Sequence, residues 1–105
     1  MAWGVLILAA IFEIAWAAGL KSTCGFTRFW PTVLVALCMI ASMGLLGIAA
    51  RTLPIGTAYA VWTGIGALGT ALAGMAFYGE TAGTARLVCI ALIAAGVAGL
   101  RIFPD

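Results

Sequence analysis

Four long apolar runs constrain this chain more than any other feature: Trp3 to Leu20, Thr32 to Ala50, Ile55 to Tyr78 and Ala85 to Phe103. As a helix, each run is long enough to cross a hydrocarbon core of about 30 Å. Composition agrees, since 66% of the residues are hydrophobic and 8% charged, against about half and a quarter in a soluble domain. The expected fold class is an all-α membrane protein of four transmembrane helices. The 105 residues then hold one domain, 1–105, with no room for an extramembrane module. This excludes an ordinary soluble enzyme. The net charge of +2 is too small and scattered to neutralise many phosphates, so nucleic acid is not an expected partner.

The breaks between the runs carry turn chemistry. Lys21 to Pro31 contains Gly25, Arg51 to Pro54 is four residues long, and Gly79 to Thr84 holds Glu80 and Gly83. Pro31 and Pro54 are expected in first helical turns, where a missing N–H is harmless, and Pro104 is expected to end the last helix. The N-terminal run lacks a basic leader and contains Glu13, so it reads as the first span rather than a cleavable signal. Cys24, Cys38 and Cys89 show no paired spacing, and the chain has no His. Neither a disulfide framework nor a metal site is expected, and no cofactor; the cysteines in the apolar runs read as small hydrophobes.

Short connections predict an up-down-up-down arrangement with both termini on one side. Lys21, Arg28 and Arg86 then lie on one side, and Arg51 and Arg101 on the other. An excess of Lys and Arg normally fixes the cytoplasmic side, and three against two is almost no excess. Either that single charge still selects one orientation, or the chain inserts both ways and two copies pair head to tail. Many transporters are built from inverted repeats around a midplane site. Four helices are half of such an assembly, and no repeat is evident within the chain, so an inverted second copy would supply the other half.

Glu13 is the one ionisable side chain well inside a span. A charged carboxylate at that depth costs on the order of 3 kcal/mol on insertion scales, and no internal Lys or Arg is available to pair with it. Either it stays protonated as a hydrogen-bonding contact between helices, or it is a site for protons and cations. Its surroundings favour the second. Ala9, Ala10, Trp16, Ala17 and Leu20 share its helix face by spacing. In the third run Tyr59, Trp62, Thr63 and Gly66 form a second stripe of two rings, a hydroxyl and a glycine, and Ser42 is the hydroxyl well inside the second run. Trp3, Trp30 and Tyr78 read as interface anchors. A carboxylate beside aromatic faces suits an organic cation, because the rings add cation–π attraction of up to about 2 kcal/mol when dehydrated. A guanidinium matches best, since its planar N–H fork can bond both carboxylate oxygens while its faces stack on rings. Tyr59 and Ser42 are expected to donate hydrogen bonds that orient the carboxylate.

Gly56, Gly64, Gly66, Gly69 and Gly74 crowd the third run. Such residues permit close helix approach and weaken a helix locally, as a hinge requires. In the fourth run Ala91, Ala95 and Gly99 form a small-x-x-x-small row, as do Ala94 and Ala98, which offers a dimer face.

Taken together these residues resemble the small multidrug resistance family of bacterial inner-membrane transporters. The similarity extends over essentially the whole chain. It rests on Phe12-Glu13-Ile14-Ala15-Trp16-Ala17, on Gly25-Phe26-Thr27-Arg28 with Pro31, and most specifically on the run from Pro54 through Tyr59 and Trp62 to Gly66. Trp16, Lys21 and Trp62-Thr63-Gly64-Ile65-Gly66 are similar to the guanidinium exporter subtype; a glycine usually replaces that Trp16 in the polyspecific subtype. The resemblance implies a multi-pass protein of the bacterial inner membrane, working as an antiparallel, dual-topology homodimer in which both copies of Glu13 form one site used alternately by protons and a cation. It implies that Trp16, Ser42, Tyr59 and Trp62 line the site, beside Thr63, that Gly64 and Gly66 are a helix hinge, and that Ala91, Ala95 and Gly99 lie at the dimer contact. The expected activity is proton-coupled export of guanidinium and small substituted guanidinium ions. The alternative is a polyspecific exporter of quaternary ammonium and other drug cations.

Overall fold

The computed structural model describes residues 2–103. Helix α1 runs Ala2–Gly19 and continues into a 3-10 turn at Leu20–Thr23; α2 spans Phe29–Ala49, α3 Ile55–Phe77 and α4 Thr84–Ile102. All four are long and apolar enough to cross a membrane. They match the expected spans to within a residue or two, except that α2 starts earlier, at Phe29. Pro31 therefore stands in the first turn of α2, where its missing N–H leaves no bond unmade. Pro54 is the residue before α3 rather than inside it, and its carbonyl accepts the Ala58 N–H at 2.9 Å. The expectation that Pro104 ends α4 lies outside the described residues.

Contacts give the helix directions. Ala9 meets Ser42 across α1 and α2, and Gly19 faces Val35, so these two run antiparallel. Glu13 faces Gly66, Ile14 faces Gly69 and Ala18 meets Tyr78, so α1 and α3 run parallel. Chain order does not fully predict neighbours: α1 lies between α2 and α3, and the backbone of α4 comes close to that of α3 alone among the helices. The backbones of the consecutive helices α2 and α3 approach each other little, and a buried side-chain bond from Trp62 to Ser42 joins them. The chain forms a slab with extents of 43 × 35 × 16 Å, and α4 buries no residue.

The core sits toward one end of the slab. Leu6, Ala9 and Ala10 pack with Ala49, Ala58, Val61 and Trp62, surrounded by Trp3, Leu45, Leu53, Val97 and others. That end joins the start of α1 to the end of α2, the start of α3 and the end of α4, where Arg101 lies 5.1 Å over the Trp3 ring. At the opposite end the helices part on both flanks of α1. A cavity of about 390 Å³ opens between α1 and α2, lined by Gly19, Pro31, Leu34, Val35, Cys38 and neighbours. The loop after α1 reverses through Cys24, Gly25 and Phe26, all with positive φ, which glycine adopts without steric penalty and the other two do not. Thr23, buried below them, accepts the Phe26 N–H on its hydroxyl at 3.2 Å and donates to the Leu20 carbonyl at 2.7 Å.

Candidate functional site

Glu13 lies about two-thirds along α1, just beyond the core and facing α3. What makes room for its carboxylate is the absence of a side chain at Gly66: a Cβ built there would overlap the Glu13 carboxylate. One turn on, Gly69 does the same for Ile14. Glu13 is partly buried, and its Oε1 is fully buried without a hydrogen-bond partner. Glu80–Arg86 is the salt bridge found among the described residues, at 2.6 Å, and it lies far along the chain at the α3–α4 connection. The carboxylate of Glu13 thus faces the site with no protein cation beside it.

A three-residue chain of hydrogen bonds underlies it. The Trp62 indole N–H donates to Ser42 Oγ at 2.9 Å, and Ser42 Oγ donates to the Ala9 carbonyl at 2.7 Å. In an α-helix that carbonyl is also the acceptor of the Glu13 N–H four residues on. Ser42 therefore bonds the backbone beneath Glu13 and not the carboxylate, contrary to the expectation from its position. The physical reason is burial: a serine hydroxyl enclosed between helices needs an acceptor, and Ala9, having only a methyl side chain, leaves its carbonyl reachable. Ser42 and Trp62 are both buried, so the bonds lock α1, α2 and α3 at the level of the site.

The Tyr59 and Trp62 rings lie 5.6 Å apart between centroids and are tilted by 43°. Tyr59 is 55% exposed, and no hydrogen bond from its hydroxyl to Glu13 is present among the described residues. Trp16 is partly buried, with its indole N–H enclosed and unpartnered. Thr63 is exposed. Helix α3 is continuous through Gly64 and Gly66; here the first admits Val97 of α4 and the second admits Glu13. On α4, Ala91 and Ala95 are exposed and Gly99 partly so. Among the described residues, no group of His, Cys, Asp and Glu could hold a metal ion.

Sequence reasoning missed Thr70, whose hydroxyl is buried and unpartnered, and the second role of Tyr78, which donates to the Ala18 carbonyl and carries Lys21 at 5.1 Å over its ring. The signal was present. Ala58, Trp62, Gly66, Thr70, Gly74 and Tyr78 are spaced by four, which is one ridge of a helix.

A partly buried acid with one enclosed oxygen and no cation beside it can exchange protons and can hold a small cation. The family description "Small Multidrug Resistance protein" matches residues 1–93. Proteins named "Guanidinium exporter" from Citrobacter freundii and Salmonella typhimurium are each 52% identical over 97% of both chains. One with the same name from Escherichia coli is 50% identical over the same share. With its four spans, this is a multi-pass protein of the bacterial inner membrane, and it belongs to the small multidrug resistance family.

Proposed function

We propose that the protein exports guanidinium and small substituted guanidinium ions in exchange for protons. The observation that carries this reading is the Glu13 carboxylate, enclosed on one oxygen and without a cationic neighbour. In a membrane such an acid is stable with a proton or a cation bound and costly with neither. The two ligands therefore compete for it, and loss of one permits loading of the other. The unpartnered Trp16 indole and the tilted Tyr59–Trp62 pair supply aromatic faces on which a flat guanidinium stacks. Relatives named as guanidinium exporters at about half identity support the same substrate.

The reading includes two oppositely oriented copies, with both Glu13 residues in one site. Two observations support it. Positive charges are nearly balanced between the ends, and α4, with no buried residue, presents Ala91, Ala95 and Gly99 as a face for a second copy to cover. Protons and substrate are then used alternately as the pair rocks between two forms made equivalent by symmetry. If two protons enter for each monovalent cation that leaves, the membrane potential adds about 2.3 kcal/mol per net charge per 100 mV.

The test is electrophysiology on a solid-supported membrane, comparing guanidinium with a tetraalkylammonium ion. Guanidinium gives the larger current on this reading, because only it donates N–H bonds to the carboxylate. A larger tetraalkylammonium current assigns the protein to polyspecific export instead. No current with either ion overturns transport by this site.

A further inference from the structure

A second crevice, of about 190 Å³, lies between α1 and α3. Ala17 and Thr70 form its inner end, and Lys21, Tyr78 and Glu80 its rim. Ala17 is one turn beyond Glu13, and Thr70 one turn beyond Gly66, against which the Glu13 carboxylate rests. The inner end of the crevice thus lies about 6 Å along the helix axis from the level of Glu13. Thr70 Oγ1 and Glu13 Oε1 are both fully buried and without partners, two orphan polar atoms about one helical turn apart on the α1–α3 seam. Buried polar groups are normally satisfied by protein or by ordered water, and this volume holds several waters at ~30 Å³ apiece.

The rim is built as a closure. Tyr78 donates its hydroxyl proton to the Ala18 carbonyl, tying the end of α3 to α1. Lys21 sits over the Tyr78 ring. The Glu80 carboxylate occupies the space left by the missing side chain of Gly74 and is held there by Arg86 at 2.6 Å. All of these are at the membrane face formed by the first and third connections, and Lys21, Tyr78 and Glu80 are exposed. Two cations against one carboxylate make a collar that repels a cationic substrate, whereas proton hopping needs only a continuous file of hydrogen bonds.

We propose that this α1–α3 crevice is a hydrated proton passage inside one protomer, linking Glu13 to the face at the first and third connections, with Thr70 as its relay and Tyr78 as its latch. The inference rests on the reading of Glu13 as a proton-exchanging group. In passage, the Thr70 hydroxyl accepts a proton from water on the rim side and releases its own toward the carboxylate. One proton reaches Glu13 and the hydroxyl is restored.

The experiment uses the full chain in proteoliposomes carrying an internal pH dye, with guanidinium affinity followed by tryptophan fluorescence. Thr70→Val keeps the shape of the side chain and removes the relay. It is expected to slow guanidinium-driven proton flux about tenfold while leaving guanidinium affinity unchanged. Tyr78→Phe is expected to raise the proton leak without guanidinium. Wild-type flux in Thr70→Val overturns the passage, as does a parallel loss of affinity, which would place the effect at the Glu13 site; an unaltered leak in Tyr78→Phe removes the latch. Absence of coupled flux in the wild type would instead overturn the exchange reading of Glu13.

Discussion

The carboxylate of Glu13 rests where the side chain of residue 66 would be, so Gly66 and Glu13 occupy one space between two parallel helices. A glycine on α3 thereby sets the position of an acid on α1. Gly66→Ala forces the carboxylate or the helix to move, and overpacking of this kind costs about 1–3 kcal/mol. Guanidinium affinity is expected to fall about tenfold or more, as read by tryptophan fluorescence titration. Unchanged affinity would mean that the carboxylate has another place to sit.

Ser42→Ala removes the acceptor of the Trp62 indole N–H and the donor to the Ala9 carbonyl at once. A buried donor left unpaired costs about 1–3 kcal/mol. The variant is expected to show a lower thermal midpoint in detergent and a shifted Trp62 emission, since the indole loses its anchor. Ser42→Thr, which keeps the hydroxyl, is expected to retain more of both. Equal behaviour of the two variants would show that the bond contributes nothing.

Trp16, three residues after Glu13 on α1, carries an enclosed and unpartnered indole N–H. Trp16→Gly removes an aromatic face worth about 1–2 kcal/mol to a dehydrated cation and opens space. Guanidinium binding is expected to weaken about tenfold while bulkier cations gain, measured by competition. Unchanged selectivity would free Trp16 from any role in discrimination.

How much of this was legible in the sequence depends on which force is at work. The four spans were readable because burial in hydrocarbon acts on every residue of a run, and Glu13 was conspicuous because a single acid inside such a run is costly. Pairwise fit was not readable. Gly66 carries the same spacing signal whether it bends α3 or admits Glu13, and only the position of the facing helix shows that it makes room for the carboxylate. Ser42 was recognisable as a hydroxyl in the right span, but its acceptor is a backbone carbonyl, which no residue type advertises. The neighbour order, with α1 between α2 and α3, likewise depends on which faces meet and not on connection length. Thr70 was overlooked because one of three threonines in a glycine-rich helix is unremarkable until the ridge from Trp62 to Tyr78 is traced.

The central claim is that one side chain, Glu13, takes either a proton or a guanidinium ion. It is tested most directly by guanidinium-evoked current on a solid-supported membrane, recorded for the wild type and for Glu13→Gln from acidic to alkaline solution. Glutamine matches the size of glutamate and can take up neither a proton nor the charge of a cation. The account predicts that guanidinium affinity in the wild type falls as protons become more abundant, and that Glu13→Gln gives no transport current at any pH. A Glu13→Gln protein that still carries guanidinium-evoked current, or a wild type whose affinity ignores pH throughout, would contradict it.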